Sequence, residues 1–191
     1  MRSNRTLFLI EVAIFTALAL VLDILPIAFK VWPNGGSVSF AMIPVFIVAF
    51  RWGIKGGLLS GLLWGLLQIA FGASILTPLQ GLIEYGFAFT LLGLAGIFAK
   101  PLQRALKDGK SNLAFMYVML GVLIGTSFRF LAHFYAGIVF WGHFAPEGQK
   151  VWLYSFLYNG SYMLPSFVLC TVLVFFLFYK QPRTLLGAAT S

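Results

Sequence analysis

An all-α integral membrane bundle of six transmembrane helices is the fold class this sequence predicts, and three observations carry it. Hydrophobic residues make up 60% of the 191 residues and charged residues only 9%, against roughly 25% charged in soluble domains. Polar groups are too few to cover a globular surface, so lipid is the expected solvent. Apolar runs recur from end to end, and at about 20 residues per helical span they fill the chain as one membrane unit with no separate soluble domain. The net charge of +8 gathers at the ends of those runs, where it reports topology and not a nucleic-acid partner.

Taken in order, the runs and their breakers predict helices over 6–29, 39–51, 54–71, 74–99, 112–141 and 152–180. Arg2 and Arg5 precede the first run, but its length, Glu11 within it and the lack of a small-residue cleavage site identify a retained helix instead of a secretory signal. Breaks fall at Pro33-Asn34-Gly35-Gly36, at Arg51-Trp52-Gly53, around Gly72, in the charged stretch from Lys100 to Lys110, and from Gly142 to Lys150. The second and third segments are short and tightly joined, as in a tilted hairpin. Gly53, Gly57, Gly61 and Gly65 recur every four residues along the third, a flat face on which a neighbouring helix can come close. Ala13 and Ala17 form a smaller pair of this kind on the first helix, read from spacing alone as internal packing.

Orientation follows from the basic residues. With both termini cytoplasmic, Arg2, Arg5, Arg51, Lys55, Lys100, Arg104, Lys107, Lys110, Lys180 and Arg183 lie inside and only Lys30 and Lys150 outside. The single Cys170 has no partner for an intrachain disulfide.

Buried polar groups mark function in a membrane helix because they are costly there. Glu84, Arg129, His133 and Asn159 stand about 15, 18, 12 and 11 Å below the outer ends of their helices at about 1.5 Å per residue, so they share one layer, with Asp23 near it. Arg129, His133, Gly137 and Trp141 form a stripe at every fourth position; Gln80 and Glu84 form another; Ser155, Asn159 and Tyr162 share a face beside Tyr154 and Tyr158. A carboxylate, an imidazole, a carboxamide, phenols and an indole in the outer half suit a small aromatic cation. Spacing alone leaves a second reading equally open, in which Glu84 pairs with Arg129 or His133 and Asn159 is interhelical glue.

Enzyme classes are excluded on their motifs. Gly109-Lys110-Ser111 ends like a phosphate-binding loop, but Arg104 stands where that loop needs glycine. The five acidic residues form no paired-carboxylate motif, and His133 with His143 lacks the third ligand of a metal site. No catalytic residues, cofactor, metal or nucleic acid are expected.

The runs Gln80-Gly81-Leu82-Ile83-Glu84-Tyr85, His133-Phe134-Tyr135-Ala136-Gly137-Ile138-Val139-Phe140-Trp141 and Tyr154-Ser155-Phe156-Leu157-Tyr158-Asn159-Gly160 resemble the thiamine-specific substrate-binding subunit of energy-coupling factor transporters. Gly35-Gly36-Ser37-Val38-Ser39 and Phe50-Arg51-Trp52-Gly53 are similar to the Bacillus-type members. The resemblance implies a six-helix subunit of the bacterial cell membrane that captures thiamine from outside. It also implies a separate transmembrane coupling subunit and two ATPase subunits as partners, in keeping with the missing nucleotide site. The family's ligand positions fall on Glu84, Tyr85, His133, Trp141, Tyr154 and Asn159, with Gly137 where ligand approaches backbone. Trp32, Ser39 and Trp64 are secondary candidates. By the same resemblance Glu84 balances the thiazolium, Trp141 stacks on a ring, Asn159 and Tyr154 bond the aminopyrimidine, and Ala13 and Ala17 become the docking surface for the coupling subunit. The sequence departs from the better-known members at Ser39, where they carry an acidic residue, and at Gly72 and Ser74, where they carry His and Tyr. A subunit for another vitamin such as riboflavin, or a structural membrane protein, are the alternatives.

Overall fold

The computed structural model describes residues 2–25, 29, 33 and 35–182. Trp32, Lys30 and Arg183 lie outside the described residues. Among the described residues five long helices form the bundle: α1 (Arg2–Ile24), α2 (Met42–Ala70), α3 (Pro78–Lys107), α4 (Ser111–Val139) and α5 (Val151–Lys180). All five are long and apolar enough to cross a membrane.

Six segments are expected from the sequence, and the difference lies in α2. Segments 39–51 and 54–71 are the two helical arms of α2, which meet at Gly53, whose φ of 76° and ψ of −167° are open only to glycine at low cost. One residue makes the bend, so no loop separates the two arms. A Cβ built on Gly57 would stand 2.7 Å from that of Ala49, although eight residues of straight helix separate them by about 12 Å. The arms therefore fold back on each other. Residues 42–51 of the first arm are all buried, and Phe46 and Phe50 are fully enclosed there. Residues 42–50 are apolar on every face, and such a segment belongs at the centre of a bundle.

The glycine stripe packs the second arm against α3. Added Cβ atoms at Gly57, Gly61 and Gly65 would strike Gly93, the Phe89 carbonyl and the Tyr85 carbonyl respectively. Side chains then tie α1 to α2: just before the bend Glu11 takes Nε and Nη2 of Arg51 at 2.5 and 2.6 Å and Nε1 of Trp52 at 2.7 Å. Thr16 meets Ser60 Oγ at 3.0 Å, and Gln68 donates to Asp23. At the bend, Gln103 of α3 donates to the carbonyls of Phe50 and Arg51 at 2.8 and 3.1 Å. Large apolar residues such as Leu9, Ile14, Leu164, Val168 and Val172 face outward, the surface expected of a protein solvated by lipid.

Helix boundaries shift for local reasons. α1 ends at Ile24 instead of 29. Thr77 caps α3 by accepting the Gln80 N–H, and Pro78 sits in the first turn, so the helix begins at 78 and not 74. α3 continues through the charged stretch to Lys107, ending in a basic turn with Arg104 and Lys107.

Candidate functional site

α3 does not run as a uniform helix. Residues Leu82–Phe87 form a π-helical turn and Leu91–Phe98 a 3-10 segment. A π turn is rare and concentrates at functional positions, and this one carries Glu84 and Tyr85. Sequence periodicity gives no sign of it. Gln80, fully buried one turn earlier, braces the carboxylate: its side chain receives the Leu76 N–H at 2.9 Å, donates to Ser74 O at 3.3 Å and donates to Glu84 Oε2. The four-residue spacing pairs Gln80 with Glu84 but assigns Gln80 no role; burial is what reveals it as the strut.

The other carboxylate oxygen faces α4. Trp141 Nε1 donates to Glu84 Oε1 at 3.1 Å, and His133 Nδ1 lies 3.9 Å from the same oxygen. The Glu84 and His133 side chains are each 13% exposed. Arg129 makes no ion pair with Glu84 among the described residues. Its Nε–H instead points to His133 Nε2 at 3.4 Å, and its guanidinium carbon lies 4.2 Å from the Phe89 ring centre and 5.2 Å from that of Trp64.

From α5, Asn159 reaches the back of this group. Its Nδ2 donates to Ser155 O at 2.9 Å, Ser155 Oγ at 3.2 Å and His133 O at 3.4 Å, while Oδ1 accepts from Tyr162 OH at 2.5 Å. With both amide hydrogens engaged, only a second lone pair on Oδ1 is available to a ligand. Gly137 lines the cavity, yet the space beside it belongs to α5, because an added Cβ would collide with Ser155. Residues 35–39 close one side: Tyr158 OH donates to Gly35 O at 2.9 Å and Ser166 Oγ to Ser37 O at 3.4 Å.

These elements enclose a cavity of about 520 Å³, within the range of small-molecule sites. Glu84, Tyr85, His133, Gly137, Trp141, Tyr154 and Asn159 all line it, as do the secondary candidates Ser39 and Trp64. Trp64 is only 2% exposed and forms wall. Of the three positions that depart from the resembled family, Ser39 and Ser74 line the cavity, while Gly72 forms a turn at φ 97°. Sequence reasoning places Asp23 near this layer without assigning it to the site, and misses Gln68, Met42, Met163 and Ser166 as lining residues. Ala13 and Ala17 do not approach this cavity. They are exposed and line a separate apolar groove with Leu63, Leu66, Leu67 and Ala70. Among the described residues no cluster of three His, Cys, Asp or Glu is arranged to hold a metal.

Comparison with known proteins agrees with this architecture. A family described as thiamine transporter protein matches residues 9–186. The thiamine transporter ThiT of Bacillus subtilis (strain 168) is 44% identical over 185 residues, covering 96% of each chain. That of Lacticaseibacillus paracasei is 37% identical over 179 residues, covering 92% of this chain and 88% of its own. The solved structure of ThiT from Listeria monocytogenes superposes with a TM-score of 0.89 at 33% identity, over 95% of this chain and 98% of its own. With a match this close to full length, the chain belongs to the thiamine transporter protein family, transport proteins of the bacterial cell membrane that cross it several times and are not enzymes.

Proposed function

We propose that this chain captures thiamine in the cavity around Glu84 and serves as the substrate-binding subunit of an energy-coupling factor transporter. The observation that carries the reading is a carboxylate held between Trp141 and His133 inside an aromatic-walled cavity. A permanently charged aromatic cation is what such a site rewards, through the counter-charge and through ring contacts. Glu84 balances the thiazolium, Trp141 and Tyr85 supply ring faces, and Tyr154 with Asn159 Oδ1 meets the aminopyrimidine. Riboflavin has no cationic ring and gives Glu84 no partner. The parent relatives are named for thiamine, which supports the same choice.

Counting the arms of α2 separately, the chain passes six times between the cavity end and the bend at Gly53, which returns the C-terminus to the side of the N-terminus. The basic residues put that side in the cytoplasm. The exposed groove at Ala13 and Ala17 then receives the transmembrane coupling subunit, and two ATPase subunits supply the energy for which this chain has no nucleotide motif. Native mass spectrometry of the purified protein tests the central reading: co-purified thiamine, displaced by added thiamine but not by riboflavin, is the expected result. Absence of thiamine binding in titration calorimetry would overturn it.

A further inference from the structure

We propose that Arg129 is a positioning residue that fixes His133 as its neutral Nδ1–H tautomer and so keeps the charge of Glu84 available to a cationic ligand. The inference rests on the reading of Glu84 as the ligand's counter-charge. Arg129 and His133 are four apart on α4 and share a face. The guanidinium has five N–H donors and no acceptor. With Arg129 Nε–H directed at His133 Nε2 across 3.4 Å, that nitrogen holds the lone pair and the ring proton sits on Nδ1, the atom facing Glu84 Oε1.

The guanidinium is not free to turn away. Phe89 and Trp64 lie against it at 4.2 and 5.2 Å, and its Nη1 is sealed in protein with no acceptor. A second proton on His133 would place an N–H against the Arg129 N–H and a like charge beside the guanidinium. It would also make an imidazolium that neutralises Glu84, the one arrangement that defeats capture of a cation. The imidazole meets Glu84 of α3 and Arg129 of its own helix, and the other polar groups lining the same cavity fit this account: the Tyr85 phenol of α3, neutral Ser155 and Asn159 and the Tyr154, Tyr158 and Tyr162 phenols of α5, and Asp23 of α1. Two carboxylates and one guanidinium among the described lining residues leave one negative charge when His133 is neutral, which a monocation balances.

The chain has two histidines, so a His143→Gln variant labelled with 15N-histidine reports His133 alone. In ligand-free protein in nanodiscs, NMR should show a protonated Nδ1 and an unprotonated Nε2 throughout about pH 6 to about pH 8, across the range where an ordinary histidine titrates. A proton on Nε2, or on both nitrogens, overturns the proposal without any change at Arg129. Arg129→Met should abolish the pattern and make thiamine binding weaken about tenfold from about pH 8 to about pH 6, as imidazolium competes for Glu84. Arg129→Lys, which can still donate to Nε2, should retain both the Nδ1–H pattern and pH-independent binding. An Arg129→Met spectrum identical to the parent would sink the idea, and where that variant does not fold, the parent and Arg129→Lys spectra decide. The spectra need no ligand, so failure of thiamine to bind the parent would count against the functional reading and not against the tautomer.

Discussion

Trp141 donates its indole N–H to Glu84 Oε1 at 3.1 Å across 57 residues of sequence. The bond joins the turn just after α4 to the π turn of α3 and brings an aromatic face to the carboxylate that it orients. Gln80 holds the other oxygen, so the carboxylate is aimed before any ligand arrives. Preorganisation of this kind reduces the ordering cost of binding.

Glu84→Gln keeps this shape and removes the charge. Truncating one member of a buried charge pair costs about 2 to 5 kcal/mol, so thiamine affinity should fall at least roughly thirtyfold by titration calorimetry. An analogue with a neutral ring in place of the thiazolium should lose much less. The cycle of two proteins and two ligands isolates the coupling between carboxylate and ring charge. Zero coupling would make Glu84 a structural residue.

Binding should also be visible in fluorescence. Trp141 and Trp64 both line the cavity, but Trp64 is sealed in the wall whereas Trp141 is half-buried. Thiamine should quench emission chiefly through Trp141 by ring contact. Trp141→Phe should remove most of the quench, and a full quench in that variant would place the ligand elsewhere.

How legible was this site? Its polar layer was readable because intramembrane Glu84, Arg129, His133 and Asn159 are too costly to be incidental, and helical rise brings them to one depth. The pairing was not readable. Spacing allowed Glu84 to pair with Arg129, yet the rings of Phe89 and Trp64 hold the guanidinium toward His133. The π turn at Leu82–Phe87 escaped because helical periodicity has no mark for a local i→i+5 register. In the fold, Gly57, Gly61 and Gly65 pack closely as their spacing announces, while the break expected at Arg51-Trp52-Gly53 falls at Gly53, where the two arms of α2 meet with no loop between them.

That stripe makes a stability prediction. Gly61→Ala drives a methyl group into the Phe89 carbonyl, where rigid backbone cannot yield. Overpacking of this kind costs about 1–3 kcal/mol, seen as a lower midpoint of thermal unfolding in detergent. Gly160→Ala is the control, since its added Cβ would lie 4.0 Å from Phe130 and meet nothing nearer. Equal midpoints for the two variants would remove the glycine face as a packing device.

Orientation can be read with impermeant maleimide. The native Cys170 is buried, and a Cys170→Ser background removes it as a source of signal. Lys150→Cys should label in intact cells, whereas Lys110→Cys should label only after permeabilisation. The reverse pattern would invert the bundle, and with it the side from which thiamine enters.

The proposed docking of a coupling subunit in the groove between α1 and the second arm of α2 predicts variants that separate capture from transport. Ala13 and Ala17 are exposed on its wall, and between them Thr16 turns inward to Ser60 at 3.0 Å, which fixes the face that α1 presents outward. Small residues four apart let a partner helix approach closely, so an indole at either position holds that helix away. Neither residue touches the cavity around Glu84. Ala13→Trp and Ala17→Trp should therefore titrate with thiamine within about twofold of the parent, since distant sites add independently to within about 0.3–0.5 kcal/mol. Uptake of labelled thiamine by cells carrying either variant should fall to background. Loss of binding together with uptake would show that the face is needed inside the bundle, whereas normal uptake would place the coupling subunit on another helix.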